Sequence, residues 1–128
     1  PEEKMWRGVL VNALEDAGSK SQDRKPSIYK CDAHAWIMSN VTDFYTVCYY
    51  SGFEPEHVKE RYKMAIMKGD IQFSPKNFAW KKYATQFNKY RNCKEVESKK
   101  YHRKHLTHLR VAVDLCTTAF ISNLVTSI

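Results

Sequence analysis

The segment from Phe44 to Lys63 reads FYTVCYYSGFEPEHVKERYK, and it decides the fold that we predict for this chain. Its spacing is that of a helix-turn-helix. The inner side of the first helix carries four residues at helical spacing: Phe44, Val47, Cys48 and Ser51. Gly52 can adopt the positive φ that a sharp helix exit needs, and Pro55 suits the first turn of the second helix. The second helix of such a unit can enter a DNA major groove, although similar corners also occur in all-α proteins that do not bind DNA.

One position of this unit departs from the usual pattern. Arg61 stands where an apolar residue normally closes the second helix against the first, and we expect the neighbouring Tyr62 to take that place. We expect Phe53 and Val58 to fill the corner between the helices.

The composition favours one helical domain. The chain has 128 residues, of which 43% are apolar, and only four are glycine and four proline. Such a chain is long enough for a hydrophobic core and poor in the turn formers of a many-stranded fold. Because there is no apolar run of about 20 residues and no secretion signal at the start, we expect a soluble intracellular protein without membrane contact.

Three helices are predicted before the turn of the helix-turn-helix. The first shows apolar residues at spacings of three and four and ends at Gly18. Ser19–Pro26 contains no apolar residue, which predicts an exposed connection. We expect Ser27 to cap the second helix, whose inner side carries Cys31, Ala35 and Trp36. Asn40, with Asp43 three residues later, is predicted to cap the third helix in a capping box.

Three more helices follow. The fourth is predicted from about Pro55 to Met67, and Asp70–Phe73 could form a short extended segment. Ser74-Pro75 is typical of the start of a fifth helix. A break near Asn92-Cys93 separates it from a long helix that extends from Glu95 to about Val125. The sequence thus predicts an all-α fold of about six helices, in which residues 1–73 with the helix-turn-helix-like unit (44–63) and a helical hairpin of residues 74–128 pack as one domain.

Two apolar patterns in the hairpin leave alternatives open. Four aromatic residues step by three, four and three along the fifth helix: Trp80, Tyr83, Phe87 and Tyr90. If these rings point inward they form core, and if they point outward they can stack on bases. The last helix carries a wide apolar stripe, which indicates either core or a surface for homo-oligomer formation: Leu109, Val113, Cys116, Phe120 and Leu124.

The net charge of +7 is concentrated in one stretch. Residues 76–104 contain ten Lys or Arg against only Glu95 and Glu97. This excess suits a polyanion such as nucleic acid, because each neutralised phosphate releases counterions. A solvated helix face that keeps the protein soluble is the alternative.

Chemistry other than binding is not indicated. The sequence has no phosphate loop, no G-x-S-x-G and no H-E-x-x-H, so we expect neither an enzyme nor a cofactor. His102, His105 and His108 lie three residues apart, but this spacing drifts around the helix and we expect surface residues and no metal site. The four cysteines are far apart, which favours buried reduced thiols: Cys31, Cys48, Cys93 and Cys116.

The residues Ala35-Trp36-Ile37, Asp43-Phe44, Val47-Cys48 and Gly52–Val58 resemble a pattern found in short proteins of bacteriophages and proteobacterial prophages. The segment covers about a quarter of the chain. A looser likeness is to the small terminase subunits of tailed phages, in which a helix-turn-helix precedes a helical hairpin that assembles into a ring. This resemblance implies a viral protein in the cytoplasm of a bacterial host or in the virion. In this chain the charge lies on the hairpin and not on the second helix of the corner.

We therefore hypothesise a non-enzymatic, nucleic-acid-binding homo-oligomer, with DNA as its ligand, that acts as a phage-type regulator or packaging factor. Three residues are predicted to face the groove: Lys59, Arg61 and Lys63. Six are predicted to contact phosphates: Lys81, Lys82, Lys89, Arg91, Lys99 and Lys100. The alternative is a helical interaction or virion protein whose basic stretch docks on an acidic protein partner.

Overall fold

The computed structural model describes the backbone of residues 2–126 and the side chains of residues 2–114. This part of the chain forms six helices: α1 (Glu2–Gly18), α2 (Arg24–Met38), α3 (Thr42–Ser51), α4 (Pro55–Met67), α5 (Pro75–Asn92) and α6 (Val96–Thr126). The all-α fold is confirmed. No strand occurs among residues 2–126. Asp70 and Ile71, the first half of the segment that could be extended, instead donate backbone hydrogen bonds to the carbonyl of Ala65 in α4.

The helices form two compact units. The first unit comprises Pro1–Ser21 and Tyr29–Phe73, and the second comprises Gln22–Ile28 and Ser74–Ile128. Helix α2 therefore contributes its first turn to the second unit and its remainder to the first. The assignment of residues 22–28 to the second unit depends on contacts distant in sequence, and no local pattern indicated it.

The first unit is built around the packing of α1 against α3, with α4 also contacting α3. Its buried core draws on helices α1 to α4: Leu10, Ala17, Ala33, Ile37, Phe44, Val47, Cys48 and Tyr62. Full burial of a side chain such as Phe44 contributes roughly 1.5–3 kcal/mol. Tyr62 closes α4 against this core, as predicted. Phe53 remains exposed, so its predicted place inside the corner is wrong.

Gly52 ends α3 with a φ of +80°, as predicted. Its N–H donates to the carbonyl of Tyr49, and the N–H of Phe53 donates to the carbonyl of Cys48. These two bonds form a Schellman motif, which satisfies carbonyls at the helix end that would otherwise lack partners. The left-handed backbone at Gly52 turns the chain toward Pro55, where α4 begins.

The predicted beginnings of α2 and α3 are both wrong. Helix α2 begins at Arg24, so the exposed connection is shorter than predicted and Ser27 is a buried residue inside the helix. Val41, and not Asn40, precedes α3, and no side chain caps this helix. Asp43 instead accepts a 2.8 Å hydrogen bond from the indole Nε1 of Trp36.

The face of α2 that packs inward also differs from the prediction. Cys31 is buried and Trp36 is half-buried, but Ala35 is exposed. Its neighbours Ala33 and Ile37 belong to the core instead. The side of α2 that packs inward is therefore shifted from the predicted one.

The buried side chain of Lys30 closes the end of α1, which has no basic residue in its own last turn. Lys30 is only 1% exposed, and its Nζ donates to the carbonyls of Ala17 and Ser19, each at 2.6 Å. The ammonium also lies 4.6 Å from the centroid of the Phe73 ring. Burial lowers the pKa of Lys30, but the two carbonyls and the ring supply the partners that a buried cation needs.

The start of α5 follows the prediction. Ser74 accepts a hydrogen bond from the N–H of Asn77, whose side chain accepts one from the N–H of Ser74. This reciprocal pair is a capping box, with Pro75 in the first turn. The Nδ2 of Asn77 remains available and donates to the hydroxyl of Ser27 at 2.8 Å.

The cysteines and the apolar stripe of α6 are described in part. Cys31 and Cys48 are buried, Cys93 is half-buried, and all three are reduced thiols. Burial raises the pKa of the Cys48 thiol. Val113 is buried, as the core alternative predicts, while Cys116, Phe120 and Leu124 lie outside the side chains that the structure describes.

Within residues 2–126, no helix has both the length and the apolar character needed to cross a membrane.

Candidate nucleic-acid interface

Helices α5 and α6 form an antiparallel hairpin that dominates the second unit. Three side-chain contacts mark its register: Tyr90 with Lys99, Gln86 with His102, and Trp80 with Arg110. In these pairs the residue number falls along α5 while it rises by a similar amount along α6. The short connection of residues 93–95 makes this antiparallel arrangement the natural one.

A row of exposed basic residues lies along one side of α6. Lys99, Arg103 and Arg110 are separated by four and seven residues, a spacing that keeps side chains on one side of a helix. Lys100 and Lys104 lie next to them. We call these five residues the basic stripe, and all five are exposed. Residues 99–110 contain no Asp or Glu, so the positive charge is continuous over about 16 Å of helix.

The sequence prediction identified only part of the basic stripe. Lys99 and Lys100 were predicted to contact phosphates, but Arg103, Lys104 and Arg110 were not. The signal that could have found them is the helical spacing of basic residues within α6. Arg110 lies beyond the basic stretch of residues 76–104, and a sum of charges does not reveal which side of a helix each residue occupies.

The predicted phosphate-contacting residues of α5 differ in exposure. Lys82 and Lys89 are exposed and lie seven residues apart, on one side of α5. Arg91 is exposed in the last turn, where a cation also interacts favourably with the helix dipole. Lys81 is half-buried.

The aromatic seam of α5 contacts cations along its length. Successive ring centroids of Trp80, Tyr83, Phe87 and Tyr90 are 5.7, 6.4 and 6.4 Å apart. Trp80 is buried, and the other three rings are half-buried. Arg24, Lys99 and Arg110 lie over these rings. The seam is thus neither a plain apolar core nor an open surface for stacking bases.

Helix α4 offers a weaker candidate. Lys59 is only 6% exposed, and its Nζ donates to Asn40 Oδ1 at 2.8 Å and to the Tyr45 hydroxyl at 2.9 Å. The prediction that Lys59 faces a groove is therefore wrong, because its side chain is buried and its ammonium is bound by two side chains of the first unit. Arg61 and Lys63 are exposed, but Glu56 and Glu60 are exposed on the same helix and balance their charge.

The charges of the two units have opposite signs. The second unit carries thirteen Lys or Arg against four Asp or Glu, a net charge of +9. The first unit carries eight against ten, a net charge of −2. An anionic ligand is therefore attracted to the second unit and not to the helix-turn-helix corner.

Among the described side chains, no group of three His, Cys, Asp or Glu residues is placed to hold a metal ion. The Nδ1 of His102 lies 2.6 Å from Gln86 Nε2. His105 and His108 are exposed on α6.

Comparisons with protein-family models, with curated protein sequences and with solved structures find no match to this chain.

Proposed function

We propose that this chain is a small helical protein that binds nucleic acid, DNA above all, by holding the phosphate backbone on the α5–α6 hairpin. The observation that carries this proposal is the basic stripe, five exposed cations on one side of α6 with no acid between them. Contacts of this kind position a protein on nucleic acid without reading its sequence.

We place the binding surface on the hairpin and not on the helix-turn-helix. The ammonium of Lys59 is hydrogen-bonded to two side chains of the first unit. The exposed acidic and basic residues of α4 carry equal and opposite charge. In contrast, the hairpin presents cations that face solvent at helical spacing. A regulator or packaging factor of the phage type, which the sequence resemblance implies, would use such a surface in a homo-oligomer that lines up several stripes along one nucleic acid.

The experiment is a fluorescence-anisotropy titration of a labelled mixed-sequence duplex and of a single strand, each at about 50 and about 200 mM salt. Five phosphate contacts predict that affinity for the duplex falls roughly five-hundred-fold between these conditions. The number of subunits in the free protein is measured in parallel. Absence of duplex binding at the lower salt concentration overturns the proposal.

Charge-removal variants locate the surface. Lys100→Gln and Lys104→Gln should each weaken binding to all sequences alike and reduce the salt slope by about one. Lys68→Gln, which removes an exposed charge from the first unit, is the matched control and should leave both quantities unchanged. Equal effects of all three variants would indicate nonspecific attraction to net charge and would contradict a defined stripe.

A second candidate, a helical protein-interaction component, is favoured by the apolar side chains that the first unit exposes. Tyr49 is 78% exposed on α3 and Met67 is 86% exposed on α4. Side chains of these types are common at protein interfaces. In that case the basic stripe would meet an acidic partner, and the nucleic-acid titration would be negative.

A further inference from the structure

Two arginines from different parts of the second unit converge on one indole ring. Arg24, in the first turn of α2, has its guanidinium carbon 5.8 Å from the centroid of Trp80. Arg110, in α6, has its guanidinium carbon 4.6 Å from the same centroid. Both arginine side chains are exposed, whereas Trp80 is only 6% exposed. The ring thus supports two cations at the edge of the basic stripe.

The indole N–H of Trp80 provides an independent observation. Its Nε1 is buried, and no side chain or backbone group that the structure describes accepts a hydrogen bond from it. A buried donor without an acceptor costs about 1–3 kcal/mol, so such groups are rare in proteins. Here the unsatisfied donor belongs to the ring over which two guanidinium groups lie. The two guanidinium groups are exposed hydrogen-bond donors that an oxyanion would satisfy, while the buried indole N–H lies in the plane of the ring beneath them and can report on their occupancy.

The position of Arg24 is fixed by the fold. Three residues after it, the hydroxyl of Ser27 accepts a hydrogen bond from Asn77 Nδ2, which holds the first turn of α2 against the start of α5. The guanidinium of Arg24 also lies 4.9 Å from the centroid of Tyr83 and 5.9 Å from that of Phe87. The hydrogen bond at Ser27 and the three rings therefore hold this arginine over α5, nearest to Tyr83 and within 5.8 Å of the Trp80 centroid.

We infer that Arg24 and Arg110 form a clamp for one phosphate group of a bound nucleic acid, with the Trp80 ring as their shared support. Guanidinium groups match the oxygens of a phosphate through paired hydrogen bonds, which an ammonium cannot make. This inference rests on the proposed function and deepens it: the lysines of the stripe attract the backbone, and the clamp fixes its register on the hairpin.

The test observes the ¹H–¹⁵N resonances of the three indole N–H groups, with that of Trp80 assigned by a Trp80→Phe variant. Trp6 and Trp36 lie in the first unit and act as internal controls. A 16-base-pair mixed-sequence duplex and inorganic phosphate are titrated separately. The expected result is a shift of the Trp80 resonance with both ligands, while the resonances of Trp6 and Trp36 move little.

Two paired variants separate the clamp from general charge. Arg24→Gln with Arg110→Gln should abolish the Trp80 shift and reduce the salt slope of duplex binding by about two. Lys100→Gln with Lys104→Gln removes the same charge and should reduce the slope equally, yet preserve the Trp80 shift. Arg24→Lys with Arg110→Lys keeps the charge and the cation over the ring, so it should keep the slope but bind duplex roughly tenfold more weakly, because the paired hydrogen bonds are lost.

The outcomes distinguish the clamp from the proposed function. If the duplex binds and the stripe variants weaken it, but the Trp80 resonance does not move, the clamp is wrong and the proposed function stands. If the duplex does not bind, but inorganic phosphate moves the Trp80 resonance only when both arginines are present, the clamp stands as a phosphate site and the proposed function is wrong. If Arg24→Lys with Arg110→Lys binds duplex like the parent protein, paired recognition of the phosphate is overturned.

Discussion

The side-chain amide of Asn77 donates a 2.8 Å hydrogen bond to the hydroxyl of Ser27, and both residues are buried although they lie fifty positions apart. The same amide group uses its oxygen to accept from the N–H of Ser74 and so completes the capping box of α5. One side chain therefore both starts α5 and holds the first turn of α2 against it. This connection also positions Arg24, on which the proposed phosphate clamp depends.

Loss of this connection should destabilise the second unit. Ser27→Ala removes the hydroxyl that accepts this buried hydrogen bond from Asn77 Nδ2, and we expect the free energy of unfolding to fall by about 0.5–1.5 kcal/mol. Asn77→Ala should cost more, since it also removes a helix cap worth roughly 1 kcal/mol. Urea unfolding followed by circular dichroism measures both.

Thr85→Ala is the control for these variants, because Thr85 is exposed and its hydroxyl donates to the carbonyl of Lys81 in its own helix. Its effect should stay within about 0.5 kcal/mol. Equal stability of Ser27→Ala and Thr85→Ala would show that the contact between α2 and α5 contributes nothing to the fold.

Lys30 should be needed for the stability of the first unit. Lys30→Met keeps a long apolar stem but leaves the carbonyls of Ala17 and Ser19 without their donor, so we expect a loss of about 1–3 kcal/mol. The exposed Lys20 is the matched control, and Lys20→Met should change the free energy of unfolding by less than about 0.5 kcal/mol. Thermal unfolding of the two variants beside the parent protein makes the comparison. An unchanged midpoint for Lys30→Met contradicts the capping role.

His34 should make the fold less stable in mild acid. Its Nδ1 lies 2.7 Å from the hydroxyl of Tyr62, and burial together with the nearby charge of Lys30 lowers its pKa below the usual 6.5. Burial also raises the pKa of Tyr62 to about 12, so this hydroxyl stays protonated. Between about pH 6.5 and its lowered folded pKa, His34 is protonated more in the unfolded chain than in the folded chain, so the free energy of unfolding falls as the pH falls.

The measurement is urea unfolding at pH 7.5 and at pH 5.5 for the parent protein and for His34→Gln. The variant keeps the four other histidines, so the difference between the two pH dependences isolates His34. We expect the parent protein to lose more stability than the variant over this interval. The same loss in both proteins would mean that the pKa of His34 is not lowered by the fold.

Lys59 should act on stability and not on nucleic-acid recognition. Lys59→Met removes hydrogen bonds from a charged donor to Asn40 and Tyr45, which predicts a loss of about 1–3 kcal/mol. Lys63→Met, on the exposed side of the same helix, should change stability by less than about 0.5 kcal/mol. Chemical unfolding gives both values, and anisotropy with two duplexes of different sequence tests recognition. If the Lys59→Met protein is folded but prefers different DNA sequences, Lys59 contributes to recognition and the binding site includes α4.

The sequence by itself determined the helices, because the signals that define them are local. The break at Asn92-Cys93 and the capping residues Ser74-Pro75 act within a few residues, and the backbone freedom of Gly52 belongs to that residue alone. Apolar spacing likewise identified the side of α3 that packs inward, and the position of Tyr62 beside Arg61 identified the residue that closes the corner. These features predicted six helices, with bounds close to the observed ones for α4, α5 and α6 but with incorrect beginnings for α2 and α3.

Only the tertiary structure decided which lysine and arginine side chains are buried and which groups they contact. A lysine has an apolar stem and a charged end, so its side chain can lie on the surface, or it can be buried where oxygen atoms accept hydrogen bonds from the ammonium. For Lys30 those acceptors are carbonyls at the end of another helix, and for Lys59 they are side chains 14 and 19 residues away. Arg24 and Arg110 meet at Trp80 for the same reason: packing between distant segments brings them together, and no local spacing encodes it.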